Sequence, residues 1–154
     1  MSRGLELRVP PPVVALAVAL TLWAVARVAP PASPRSAITA LLAGIVGLTG
    51  GLLTAWGAAT FARAGTTVSP TSPERSARVV TTGPFGFTRN PMYVGLLLVV
   101  SAWGIWLRSP WLLLALPAMA AYLTRFQILP EERILREKFG TEYEAYSARV
   151  RRWL

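Results

Sequence analysis

The chain contains no cysteine and no histidine. Without cysteine there are no disulfides, iron–sulfur clusters, thiolate zinc sites or cysteine nucleophiles. Without histidine the usual general base and the commonest metal ligand are missing. No metal centre is expected, and any chemistry must run on carboxylates, arginines, tyrosines and backbone groups. Charge is scarce as well. Only 15% of the 154 residues are charged, against roughly 25% in an ordinary soluble domain.

What is abundant is apolar. Hydrophobic residues make up 53% of the chain, and the mean hydropathy is +0.46. They fall into four blocks, about Val13 to Val28, Ala37 to Ala62, Met92 to Leu107 and Trp111 to Ile128. A helix needs about 20 residues to cross the hydrocarbon of a bilayer, so the first and third blocks are on the short side. The blocks lie too close together to belong to separate domains. The expectation is one all-α, polytopic membrane domain over 1–154, with spans near 13–28, 37–62, 92–107 and 111–128. Arg3 and Arg8 before the first block resemble a signal peptide, but Ala29-Pro30-Pro31 is a poor cleavage site, so a retained first span is expected. The second block is rich in glycine, which lets membrane helices approach closely within a chain or between chains.

The net charge of +9 invites a nucleic-acid reading, but no nucleic-acid motif is visible and basic residues flank the apolar blocks as membrane topology requires. No nucleic-acid partner is expected. With the N-terminus in the cytoplasm, thirteen of the sixteen basic residues fall inside and only Arg27, Arg35 and Arg108 outside. The positive-inside rule thus predicts a multi-pass protein of the cell (inner) membrane with both termini cytoplasmic. Arg108-Ser109-Pro110 joins the third and fourth blocks as a tight antiparallel hairpin, and Trp103, Trp106 and Trp111 cluster there as aromatic residues do at an interface. Two cytoplasmic segments remain, a loop over 63–91 and a charged tail over 130–154. In the tail Ile134, Leu135, Phe139, Tyr143, Tyr146 and Val150 recur at helical spacing and predict an amphipathic helix.

Three groups of residues can carry chemistry. At the end of the loop, Gly83-Pro84 sets a turn and Asn90-Pro91 an extended entry into the third block. That arrangement can present backbone N–H groups beside Arg89 to an anion, or serve simply as an interfacial turn. Glu131-Glu132 stand at the start of the tail helix, where they suit a sulfonium, an ammonium or ribose hydroxyls, or merely complement the helix dipole. Arg125 can snorkel to the interface or offer its guanidinium to an anionic group. Arg149, Arg151 and Arg152 read as an anchor to anionic headgroups.

Taken in order, these segments form a pattern. Gly83-Pro84-Phe85 is followed by Thr88-Arg89-Asn90-Pro91-Met92-Tyr93-Val94-Gly95, an apolar hairpin, and Glu131-Glu132-Arg133-Ile134-Leu135. Lys138-Phe139-Gly140-Thr141-Glu142-Tyr143-Glu144-Ala145-Tyr146 and Arg149-Val150-Arg151-Arg152-Trp153 complete it. The pattern resembles the isoprenylcysteine carboxyl methyltransferase and phospholipid methyltransferase superfamily over roughly residues 61–154, in the form of its short bacterial members. Asn90-Pro91 stands where the isoprenylcysteine enzymes usually have His-Pro and the phospholipid enzymes Asn-Pro; Gly86 stands where a basic residue is common.

The resemblance implies S-adenosylmethionine as methyl donor, bound by Gly83, Pro84, Phe85, Asn90, Pro91, Tyr93, Glu131 and Glu132. It implies a lipid or small apolar acceptor that enters from the bilayer, with Arg89 or Arg125 orienting an anionic group and Tyr93 lining the pocket. Methyl transfer to a carboxylate or thiolate needs no general base, which suits a chain without histidine; an amine acceptor would have to lose a proton. Two rival readings stand beside this one. An NADPH-dependent membrane reductase would share the C-terminal helices but be longer. A small four-helix transporter would need an intramembrane carboxylate, and no apolar block holds Asp or Glu.

Overall fold

The computed structural model describes residues 6–65 and 77–154. Arg3 and the part of the expected loop that holds Thr66, Thr67 and Arg75 lie outside these residues. Helix α1 spans Pro11–Val28 and opens on prolines, whose missing N–H groups cost nothing in a first turn. Helix α2, Ala37–Arg63, begins at a reciprocal cap in which Ser36 Oγ accepts Thr39 N–H (3.1 Å) and Thr39 Oγ1 accepts Ser36 N–H (3.3 Å). A 3-10 turn at Gly83–Gly86 precedes α3, Pro91–Leu107. Helix α3 ends where Arg108 turns into the left-handed region (φ 56°), with Ser109 N–H donating to Gly104 O at 3.1 Å. Helices α4, Leu112–Leu123, and α5, Leu129–Phe139, are joined by a π-helical turn at Thr124–Ile128, and α6 covers Thr141–Arg149.

The protein is therefore an all-helical polytopic membrane protein. Three helical stretches are long and apolar enough to cross a bilayer, Pro11–Val28, Ala37–Arg63 and Leu112–Phe139, and α3 is a shorter apolar helix beside them. At about 1.5 Å per residue, α3 reaches roughly 26 Å, a little less than the hydrocarbon thickness. Along α2 the side chains of Ile38, Leu41, Leu48 and Leu52 point outward and are more than half exposed. A soluble protein would bury such a row; a bilayer is a good solvent for it.

Helix α3 is the centre of the bundle: α1, α2 and α4 all pack on it. Against α2 the approach is as close as backbones allow. A Cβ at Gly50 would sit 2.6 Å from Gly95 O, and a Cβ at Gly95 would collide with Thr54 Oγ1. The glycines of α2 thus divide into two sets. Gly50 and Gly57 face α3, while a Cβ at Gly44 or Gly51 would meet nothing within 4 Å. On the opposite side of α3, Leu22, Tyr93, Val100, Met119, Leu123 and Ile128 form the buried core.

The tail departs from a simple helix after a span. Leu112–Phe139 runs on without a break, although Pro130 lies inside it. A proline cannot donate to the carbonyl four residues earlier and pushes it aside. Here that carbonyl, Phe126 O, accepts the backbone N–H of Leu7 at 3.0 Å. The widened turn absorbs the ring, and Gln127, completely buried, donates through Nε2 to Val9 O at 2.6 Å. The tail is then divided at Gly140, whose φ of 51° and ψ of −124° no side-chain-bearing residue adopts comfortably.

Gly95→Ala is expected to force α2 and α3 apart and to cost about 1–3 kcal/mol, the usual range for overpacking. Gly51→Ala should leave stability unchanged or slightly raised. Thermal unfolding of the two variants in detergent separates these outcomes.

Candidate active site

The polar residues gather at the end of the bundle where α3 begins and α5 emerges. The 3-10 turn is fixed first. Gly83 has a φ of 60° and lies against α2, where a Cβ would come within 3.1 Å of Thr60 Oγ1 and 3.3 Å of Trp56 Nε1. Phe85 is buried and meets Phe61 edge-on, with ring centroids 4.8 Å apart. Its carbonyl accepts the Tyr146 hydroxyl at 2.8 Å. Burial, and then the neighbouring Tyr143, push the Tyr146 hydroxyl above its usual range, while burial first of all takes Tyr143 up to about 12. Both phenols stay protonated, so Tyr146 is a permanent donor to the turn.

Next, Thr88-Arg89-Asn90 clasps the end of the chain. Arg89 N–H donates to Arg151 O (3.0 Å), Asn90 Nδ2 to Arg152 O (2.8 Å) and Thr88 Oγ1 to the same carbonyl (3.4 Å). Thr88 Oγ1 also accepts Asn90 N–H at 3.2 Å, which shapes the entry into α3 just before Pro91.

This clasp brings two arginines to one carboxylate. Glu132 is 3% exposed. Arg152 binds it with both prongs, Nε to Oε1 and Nη2 to Oε2, each at 2.9 Å. Arg89 Nη2 reaches Oε1 at 3.0 Å, and Arg136, one turn along α5, stands at 3.8 Å. A carboxylate so deeply buried is tolerable only when paired and hydrogen-bonded on both oxygens.

Glu131 is different. Its Oε1 accepts the Tyr93 hydroxyl at 2.5 Å, and among the described residues no arginine or lysine pairs with it. Arg89 Nε is buried and has no hydrogen-bond partner. The site therefore offers an uncompensated acceptor and an unused donor close to a carboxylate that is already fully paired.

The residues singled out from the sequence are thus mostly brought together. Tyr93 and Glu131 touch directly, as do Arg89 and Glu132; Asn90 reaches the cluster through Arg152 O, and Gly83, Pro84 and Phe85 through Tyr146. Pro91 is the first residue of α3 and is buried. Arg125 is not in the cluster. It is half exposed and lies 3.4 Å from Glu6, which also pairs with Arg133 at 2.8 Å. Arg152, read as a lipid anchor, instead faces inward onto Glu132. Thr88 was missed, and its one sequence signal is a hydroxyl two residues before an Asn-Pro step.

The family model for phospholipid methyltransferases matches residues 38–142, which contain all but the first residue of α2, the 3-10 turn, Arg89, Tyr93, Glu131 and Glu132. The chain belongs to the phospholipid methyltransferase family. That membership makes it a methyltransferase, and its apolar helices place it in a membrane. An uncharacterised protein of Haemophilus influenzae is similar to it, with 43% identity over 63 residues, 41% of this chain and 100% of that relative. No solved structure matches the chain.

Glu132→Ala is expected to cost about 3–5 kcal/mol, because it strands the buried Arg89 charge. Arg152→Ala should cost less, since Arg89 still holds the carboxylate. Denaturant titration in mixed micelles measures both, and equal stability of Glu132→Ala and wild type would contradict the clamp.

Proposed function

We propose that the protein is an S-adenosylmethionine-dependent methyltransferase of the cell membrane that acts on a lipophilic acceptor, with both termini in the cytoplasm. The observation that carries this reading is that, among the described residues, Glu131 pairs with Tyr93 and with no cation, beside a Glu132 that is already neutralised. An acceptor group held in place without a positive partner suits a ligand that brings its own.

The residues present fit the cofactor on the chemistry of their donors and acceptors. Glu131 suits the ammonium or the ribose hydroxyls of S-adenosylmethionine, and the unpartnered Arg89 Nε suits its carboxylate. The cofactor supplies a methyl group already activated on a sulfonium. What the chain itself contributes is position and exclusion of water. Tyr93 holds Glu131 in a fixed orientation, and Glu132 with Arg89 and Arg152 locks α5 to the loop and to the chain's last turn. Phe85, Pro84 and Pro91 wall the site with apolar surface. The acceptor arrives from the bilayer, in keeping with the family and with the lipid-facing helices on either side. A carboxylate or thiolate acceptor needs no base; for an amine, Glu131 is the group placed to take a proton.

Orientation follows from the distribution of arginine: the polar site and the tail share the positively rich side, which the positive-inside rule assigns to the cytoplasm.

Titration of the purified protein with S-adenosylhomocysteine is expected to show binding that weakens at least tenfold, about 1.4 kcal/mol, in Glu131→Gln. The unfolding midpoint of that variant should stay close to wild type. No binding by wild type would sink the cofactor assignment; unchanged binding by the variant would remove Glu131 from it. A lipid extract incubated with labelled methyl donor should yield label in the solvent-soluble fraction. Because the chain lacks cysteine, Ser33→Cys and Glu142→Cys each give a single reporter. In intact cells an impermeant maleimide should label the first and spare the second, and the reverse pattern would invert the topology.

A further inference from the structure

At the end of the bundle opposite the polar site, α1 and α2 both pack on α3 rather than on each other. Between them lies an apolar cavity of about 490 Å³. Its walls are Ala19 of α1, Ala40 to Gly47 along one face of α2, and Val99 to Trp106 of α3. It runs along α2 for seven residues, about 10 Å of helix rise. Among the described residues nothing fills it. The Trp103 indole, one of two tryptophans on the lining, is held to the α1 backbone by a hydrogen bond from Nε1 to Ala19 O at 3.0 Å. A Cβ built at Gly44 meets nothing within 4 Å.

One end of this slot is charged. Trp106 forms its outer wall, and the guanidinium of the exposed Arg35 lies 5.8 Å from the centre of that ring. Arg35 lies just before Ser36, the cap of α2, so it stands at the level where the helices leave the hydrocarbon, with its cation next to the slot's mouth. The complementary ligand is an apolar chain at least as long as the slot that carries an anion at the interface. A phospholipid with net negative charge has that form, since the slot's roughly 10 Å fits within one leaflet of about 15 Å and the cation stands at its mouth.

We propose that the slot between α1, α2 and α3 binds one acyl chain of an anionic phospholipid, whose phosphate pairs with Arg35. This site is separate from the methyl-transfer site. Val99, its deepest wall on α3, lies six residues from Tyr93, roughly 9 Å of helix rise, and Trp106 lies further still. The lipid bound there fills a gap in the bundle and holds α1 and α2 on α3; it is not the acceptor. The inference requires only a membrane protein and stands independently of the cofactor assignment.

The test uses the full chain in vesicles containing phosphatidylglycerol, or phosphatidylcholine, with a photoactivatable diazirine in the acyl chain, followed by peptide mapping. With phosphatidylglycerol the label should concentrate on the lining segments 40–47 and 99–106. In Gly44→Leu, whose Cβ meets no neighbour within 4 Å and whose side chain enters the slot, that label should fall several-fold. In Arg35→Gln, an exposed substitution that leaves the helices untouched, the preference for phosphatidylglycerol over phosphatidylcholine should disappear. Label spread evenly over Leu41, Leu48 and Leu52 and unchanged in Gly44→Leu would show ordinary surrounding lipid and overturn the proposal. A headgroup preference that survives Arg35→Gln would overturn the role given to that arginine.

Discussion

The arrangement of the polar end depends on one buried charge. Glu132 cannot be desolvated without compensation, and each cation that compensates it comes from a different part of the chain: Arg89 from the segment before α3, Arg152 from the stretch after α6, and Arg136 from its own helix. Satisfying the carboxylate therefore determines where the loop, α5 and the last residues stand relative to one another. The backbone contacts of Thr88, Arg89 and Asn90 with Arg151 and Arg152 then follow from that meeting. Buried ion pairs add little net stability but penalise every arrangement in which they are not formed. That is the property needed to hold Glu131 and Tyr93 in one geometry inside a small bundle.

Much of this was legible in the sequence, and the rest was hidden for identifiable reasons. Hydropathy alone marks the apolar helices because a bilayer imposes the same demand at every position. Gly83, Asn90-Pro91 and Glu131-Glu132 are legible because each is a local exception that needs local cause: a positive φ, a helix entry, two charges at a helix start. Arg152 and Arg125 were not. Both are arginines near a membrane surface, and only the packing shows that one turns inward to Glu132 while the other pairs with Glu6. The two classes of glycine in α2 were equally opaque, since choosing between Gly50 and Gly51 requires knowing which face meets Gly95. The continuity of α4 into α5 was obscured by Pro130, because the partner that repairs the broken hydrogen bond is Leu7, at the other end of the chain.

The bundle also divides its two ends between different kinds of order. Around Glu132 nearly every polar atom is engaged and the backbone is held by cross-links. At the opposite end α1 and α2 both lie on α3, the facing residues of α2 are alanine and glycine, and among the described residues the space between them stays open. A small membrane enzyme benefits from such a division: rigidity at the reacting end, and surroundings drawn from the bilayer at the other.

The repair of the Pro130 break by Leu7 has a consequence for how the molecule is made. Gln127 and Val9, which meet beside it, are separated by 118 residues. The segment before α1 is made well ahead of its partners, and its donors stay unmet while α2, α3 and α4 enter the membrane. Helix α4 can insert on hydrophobicity alone, but its exit from the bilayer is shaped only when the segment before α1 returns to it. Arg152 emerges later still. Biosynthesis thus delivers a set of inserted helices first and a competent site last, so that a stalled or partly translated chain carries the scaffold without the chemistry.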